Sequence, residues 1–295
     1  MRIKGVYPPI VTPFDEQGRL HADALAGNIQ KWDDTGLSGY VVAGSNGESP
    51  LLTFDEVTRA IRIARRAAQR DKLIIAGTGR QSTAATIDMT RAAAEAGADA
   101  ALVVTPFFYG AQMTGDALVR HFEALADASP IPILIYNVPK FTHLNIAPST
   151  VARLSAHQKI VGIKDSAGDI GQVIDLVRLC CPDFDILMGN GPAYLSGLQA
   201  GASGGILALA NVAPRECVAI WNLVRAGRAE EALSIQRRLM PVGRAVTSGY
   251  GVPGLKAAMD LLGYSGGEPR PPLLPADAAT REAMRETLVE AELLP

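Results

Sequence analysis

Residues 131–164, IPILIYNVPKFTHLNIAPSTVARLSAHQKIVGIK, hold two short apolar runs, Ile133–Tyr136 and Ile160–Lys164, with a stretch of helical spacing, Pro148–Leu154, between them. Short β-branched or aliphatic runs bounded by turn residues read as strands, and a helix joining two of them reads as a βαβ unit. Working outward, the same alternation recurs along the first two-thirds of the chain. Further candidate strands are Val6–Val11, Gly39–Ala43, Leu73–Ala76, Ala100–Val104, Asp185–Met188 and Gly204–Leu207. Helical spacing fills the gaps at His21–Thr35, Phe54–Gln69, Thr83–Ala96, Gly115–Ala126, Gly171–Cys180 and Pro192–Ala200.

Local signals agree with this division. Thr53 and Glu56 have capping-box spacing, and Gly36, Gly97 and Gly201 follow helices where a left-handed residue is wanted. Runs such as LIIAG and ALVV are apolar on both faces, as strands of a parallel sheet covered by helices must be. Eight units in roughly 200 residues have the rhythm of a (β/α)8 TIM barrel. The alternative, a doubly wound open sheet, lacks the GxGxxG after its first strand. From Pro214 onward the pattern is helix upon helix (Arg215–Arg225, Arg228–Met240, Gly254–Leu262, Ala276–Leu293), broken at Gly227, Pro241, Gly249–Gly251 and the Pro269–Pro275 stretch. The expected organisation is a barrel domain over 1–212 with a C-terminal helical region over 213–295.

Composition narrows the function. With 28 basic against 30 acidic side chains in 295 residues, the net charge of −2 gives no electrostatic reason to expect a nucleic acid partner. Prolines 8, 9 and 13 interrupt the first apolar stretch, unlike a signal peptide, and no long uncharged run suggests a membrane span. Three cysteines, 180 and 181 adjacent, do not make a disulfide framework, and buried structural roles are expected for them. A cytoplasmic protein is expected.

Barrel chemistry sits at the carboxyl ends of the strands. Lys164, one of only seven lysines, directly ends the run Ile160–Ile163. Desolvation there disfavours the ammonium form, and a free amine can attack a ketone to form a Schiff base. A structural lysine paired to Asp165 or Glu48 is the alternative. Tyr136 ends the preceding strand, so in a parallel pair its phenol stands beside the amine, placed to relay protons. The loop Gly44-Ser45-Asn46-Gly47-Glu48 follows the second strand and offers main-chain and side-chain donors for a carboxylate. The four histidines show no metal-binding spacing, so no metal is expected. Gly189–Gly191 and Gly201–Gly205 lack neighbouring cations and read as close backbone packing, with the Gly189 carbonyl still able to face the site.

Taken in order, PPIVTPF, GSNGE, the Thr105-Pro106 pair with its aromatics, YNVP, IKDS and GVPGLK resemble the dihydrodipicolinate synthase / N-acetylneuraminate lyase family of pyruvate-dependent class I lyases. GSNGE, AGADAALVVTPFFY, VGIKDSAGD and GVPGLK are most similar to its 4-hydroxy-2-oxoglutarate aldolase branch. The resemblance implies a Schiff base on Lys164, proton relay by Tyr136, and a pyruvate carboxylate held by Ser45 and Asn46 in the loop that includes Gly47. It also implies that Gly189 and Ile206 line the site, that no cofactor is needed, and that the chain forms a homotetramer built as a dimer of dimers. Lysine-biosynthetic members carry an arginine two residues beyond the YNVP proline, where this chain has Phe141, and a ring cannot replace a bidentate guanidinium. They also carry a threonine at Asn46 and an inter-subunit tyrosine at Phe108, for which Tyr109 is the nearest substitute.

The resulting expectation is a lyase that cleaves a 4-hydroxy-2-oxo acid to pyruvate and an aldehyde, with Ser166 and Phe141 touching the distal part of the substrate. Alternatives are dihydrodipicolinate synthesis, an aldolase or dehydratase of a 2-keto-3-deoxy sugar acid, and a non-catalytic keto-acid sensor.

Overall fold

In the computed structural model, which describes residues 1–295, eight strands pair in parallel: β1 (Gly5–Tyr7), β2 (Gly39–Val42), β3 (Leu73–Gly77), β4 (Ala100–Val104), β5 (Ile133–Asn137), β6 (Ile160–Asp165), β7 (Asp185–Met188) and β8 (Gly204–Ile206). Their ladder runs β1-β8-β7-β6-β5-β4-β3-β2. The seam between its two ends is closed by main-chain bonds from the Ile10 N–H to the Val41 carbonyl and from the Val41 N–H to the Pro8 carbonyl, both 2.9 Å. The sheet thus curls into the expected (β/α)8 barrel rather than an open sheet. Around it lie α1 (Ala22–Asp33), α2 (Phe54–Ala67), α3 (Thr83–Glu95), α4 (Gly115–Ala128), α5 (Pro139–Thr142), α6 (Pro148–Leu154), α7 (Ile170–Leu179) and α8 (Tyr194–Gln199). Four further helices follow: α9 (Pro214–Arg225), α10 (Ala229–Arg244), α11 (Gly251–Leu261) and α12 (Ala278–Glu290). No helix is long and apolar enough to cross a membrane.

Strand alternation sorts the core into two layers. Val41, Ile75, Leu102, Leu134, Tyr136, Leu187 and Ile206 fill the barrel interior. Val42, Ile74, Val103, Ile135, Ile163 and Ile186 point outward and pack beneath the helices in one continuous apolar layer. Burying each such side chain contributes about 1.5–3 kcal/mol before the cost of ordering the chain. Thr53 and Glu56 form the reciprocal capping box that starts α2. Gly36, Gly97 and Gly201 take φ of +86°, +100° and +108°, the left-handed conformation their positions require.

Three local expectations change. The first strand ends at Tyr7 rather than Val11, because Pro8 and Pro9 have no N–H to extend a ladder. Pro241 does not end its helix: α10 runs through it to Arg244, held by buried Leu239 and Val242 on either side, and continues into a π-helical turn, Ala245–Gly249. Of the three free thiols Cys217 is buried and Cys180 partly so, but Cys181 is exposed, just beyond the end of α7.

Candidate active site

Tyr136 and Lys164 are Cα register partners on β5 and β6. The outward faces of these strands belong to Ile135 and Ile163, so alternation turns Tyr136 and Lys164 into the barrel, near its carboxyl-terminal mouth. Both are buried, 5% and 3% exposed. The Lys164 Nζ lies over the phenol ring, 4.1 Å from its centre. Neither carboxylate expected of a purely structural lysine is its partner. Asp165 points the other way and is engaged by the Asn137 and Gln172 amides at 2.8 and 3.2 Å and by the Ala167 N–H at 3.2 Å. Burial pushes the Asp165 carboxyl up from the usual range, against the pull of those three bonds. Glu48 is paired instead with Lys256, 2.7 Å away. Lys164 takes part in no ion pair.

The loop after β2 brings donors to the same mouth. Ser45 Oγ is 3.3 Å from the Tyr136 hydroxyl. Ser45 and Asn46 line the cavity with their main-chain N–H groups uncommitted. Gly47, expected to touch the ligand, does not line it. Its N–H donates to the Gly44 carbonyl at 3.0 Å and its carbonyl accepts from Thr12 Oγ1 at 2.7 Å, so its polar groups are spent on shaping the turn.

The cavity has a volume of about 160 Å³. Ser166, Gly189, Ile206 and Phe141 line it, as expected from the sequence. Ser166 Oγ is buried there without any hydrogen-bond partner. A side chain at Gly189 would collide with that oxygen and stand 3.0 Å from Lys164 Cε, so close backbone packing and a place in the site are the same fact. Phe141, 54% exposed, forms part of the rim on the short helix α5. Tyr109, expected as a substitute at an inter-subunit position, does not line the cavity of its own chain. It is 68% exposed and packs edge-on against Phe108, because Gln81 Oε1 accepts from the N–H groups of both Phe107 and Phe108 (3.0 and 2.9 Å) and holds the loop after β4 outward.

Other lining residues were not foreseen. Lys140 reaches the rim and donates to the Thr247 carbonyl at 2.9 Å. Val246, Thr247 and Ser248 come from the π-helical turn, and Gly251 and Val252 from the start of α11. The hints in the sequence were the unusual pairing of Pro241 with the Gly249–Gly251 breakers and the GVPGLK motif that begins at Gly251, and π-helical turns often mark functional sites. The lining contains two lysines and no carboxylate. A larger cleft, about 400 Å³, opens beside Arg2, Ser203 and Trp221 at the amino-terminal ends of β1, β7 and β8. It is remote from Lys164 and on the face where barrels do not place chemistry.

The chain is similar along nearly its whole length to known proteins. The model of the dihydrodipicolinate synthetase family matches residues 2–291. A 4-hydroxy-tetrahydrodipicolinate synthase of Methanothrix thermoacetophila is 37% identical over 288 residues, covering 97% of this chain and 96% of that one. The dihydrodipicolinate synthase of Thermotoga maritima superposes with a TM-score of 0.95 at 32% identity, covering all of both chains. A monomeric dihydrodipicolinate synthase variant superposes at 0.94 with 31% identity, over 99% of this chain and 98% of that one. These relatives carry the synthase's name; none of the three is an aldolase of the branch the motifs suggested.

Proposed function

Since the chain belongs to the dihydrodipicolinate synthetase family of class I pyruvate-dependent lyases, we propose that Lys164 is its Schiff-base lysine and that it cleaves a 4-hydroxy-2-oxo acid. The observation that carries the first part is the buried amine without a carboxylate partner, facing a cavity beside a phenol. The Lys164 amine attacks the C2 ketone, the carbinolamine loses water, and the resulting iminium draws electrons from C3. The C4 hydroxyl gives up its proton, with the Tyr136 oxygen as the nearest relay, and the C3–C4 bond breaks to release an aldehyde. The enamine then takes a proton at C3, and water hydrolyses the imine to free pyruvate and the amine. Ser45 and Asn46 hold the C1 carboxylate. Ser166, with its unpaired hydroxyl, receives the C4 oxygen.

Two features favour cleavage of a doubly charged substrate. Phe141 stands on the rim where an arginine clamp serves the lysine-biosynthetic members, and Lys140 beside it is the only cation in the lining besides Lys164. A cavity with two lysines and no acid suits an anionic guest. Lys140 meets a second carboxylate, of the kind carried by a 4-hydroxy-2-oxoglutarate-like acid, and glyoxylate is then the departing aldehyde.

The relatives' shared name favours a second reading, condensation of pyruvate with aspartate semialdehyde on the same Lys164 imine. Product analysis separates the two. Release of pyruvate from a panel of 4-hydroxy-2-oxo acids, with slow turnover of aspartate semialdehyde, supports cleavage; efficient condensation despite Phe141 reverses the assignment.

We propose further that the chain assembles as a homotetramer through its exposed apolar clusters, Phe107–Tyr109 after β4 and Ile174, Val177 and Leu179 on α7. Such a grouping exposes more apolar surface than isolated residues do. Light scattering at micromolar concentration tests this: a mass of four chains supports it, and a monomer refutes it.

A further inference from the structure

Three motifs of the sequence, PPIVTPF, GSNGE and GVPGLK, each give residues to the cavity lining and also meet behind the carboxylate-binding loop, away from the cavity. Lys256 of α11 is fully buried and forms its ion pair with Glu48, whose side chain is equally inaccessible to solvent. The same ammonium donates to the carbonyls of Thr12 and Glu268, both at 2.9 Å, and lies 4.5 Å from the centre of the Phe14 ring. The second Glu48 oxygen accepts from the Arg270 N–H at 2.8 Å. Neither Glu48 nor Lys256 lines the cavity.

Glu48 also has an unusual backbone. Its φ of +58° is a left-handed conformation that a residue with a side chain adopts only when its surroundings hold it there. Its N–H donates to the Ser45 carbonyl at 3.2 Å, closing the turn that presents Ser45 and Asn46. The Thr12 bond to Gly47 grips that turn from the other side. A buried ion pair contributes little net stability compared with an apolar pair of similar volume, so stability alone does not account for a charged side chain reaching across 208 residues of sequence, from 256 to 48.

We infer that the Glu48–Lys256 pair sets the position of the Ser45–Asn46 donors, making Lys256 a positioning residue for the 2-oxo acid although it touches no ligand. This rests on the assignment of Ser45 and Asn46 to the substrate carboxylate. It gives the C-terminal helices a direct hold on the pyruvate-binding end of the barrel.

The test is the pyruvate dependence of borohydride trapping, measured on the full chain for Lys256→Met, Ser45→Ala and the double variant. A positioning role raises half-saturating pyruvate about tenfold in Lys256→Met while the limiting trapping rate stays within about threefold. The effect of Lys256→Met then shrinks below about twofold once Ser45 is already alanine, since the two residues act through one contact. An unchanged half-saturation in a folded Lys256→Met protein, or equal losses in both backgrounds, overturns the inference. Should Lys256→Met fail to fold, Glu48→Gln combined with Lys256→Met, which leaves no lone buried charge, decides by the same thresholds. Failure of the unmodified protein to trap pyruvate is a different result: it removes the Schiff-base reading and this inference with it.

Discussion

The Lys164 amine sits over the face of the Tyr136 ring, 4.1 Å from its centre, and the two residues are register partners on adjacent strands. Parallel pairing makes this juxtaposition a property of the barrel, not of a mobile loop. The phenol should therefore be separable from its ring. Tyr136→Phe keeps the packing and removes the hydroxyl that also lies 3.3 Å from Ser45 Oγ. Steady-state kinetics should show kcat reduced by about 10²- to 10⁴-fold, the usual range for a lost acid–base group. A variant with full turnover would assign the proton relay elsewhere.

Gly189 is a second test of the same geometry. Its absent side chain leaves room for Ser166 Oγ and Lys164 Cε. Gly189→Ala should cost about 1–3 kcal/mol of stability through overpacking and about 100-fold or more in kcat through displacement of the amine. Equal activity for the two proteins would show that this wall of the cavity is not next to the reacting atoms.

Lys140 should discriminate between substrates. It is exposed on the rim, so its attraction to a carboxylate is screened by solvent and contributes up to about 1 kcal/mol. Lys140→Gln should raise KM for a dicarboxylic 4-hydroxy-2-oxo acid about fivefold and leave pyruvate trapping unaltered. An equal loss with pyruvate alone would place Lys140 at the other end of the ligand.

His121 on α4 should make the barrel acid-sensitive. It is buried, with Nδ1 2.9 Å from Thr83 Oγ1 and Nε2 without a partner. Burial lowers its pKa from 6.5 to about 4. Between those values the unfolded chain binds the proton and the folded chain does not, so stability falls as pH drops from 6.5 towards 4. The loss amounts to at most about 3 kcal/mol. Urea unfolding of His121→Asn should show a flatter profile across this window than the unmodified protein. Parallel profiles would mean that other groups govern the acid limb.

The barrel was legible because its elements carry strong local signals: aliphatic runs in the strands, the capping box that starts α2 and glycines in left-handed positions after helices. Lys164 and Tyr136 were legible for the same reason, since each ends such a run and parallel pairing fixes them side by side. Ser45 and Asn46 followed from a turn placed at a strand end. Other parts of the site depend on tertiary relations that no local pattern encodes. The π-helical turn that lines the mouth forms because α10 continues through Pro241, a residue that locally argues for a break. The loop that carries Tyr109 is held away from its own chain's cavity by Gln81, far from it in sequence. Gly47 looked like a ligand contact because glycine-rich loops expose N–H groups, yet here its N–H is used within the turn and its carbonyl accepts from Thr12. The Glu48–Lys256 pair joins two motifs that the sequence displays plainly but does not connect.

The most direct measurement is reduction with borohydride in the presence of pyruvate, followed by peptide mass mapping. A reduced pyruvyl group on Lys164, lost in Lys164→Arg, is the predicted result. A protein that remains unmodified, or one labelled at another lysine while Lys164 stays free, would contradict the account.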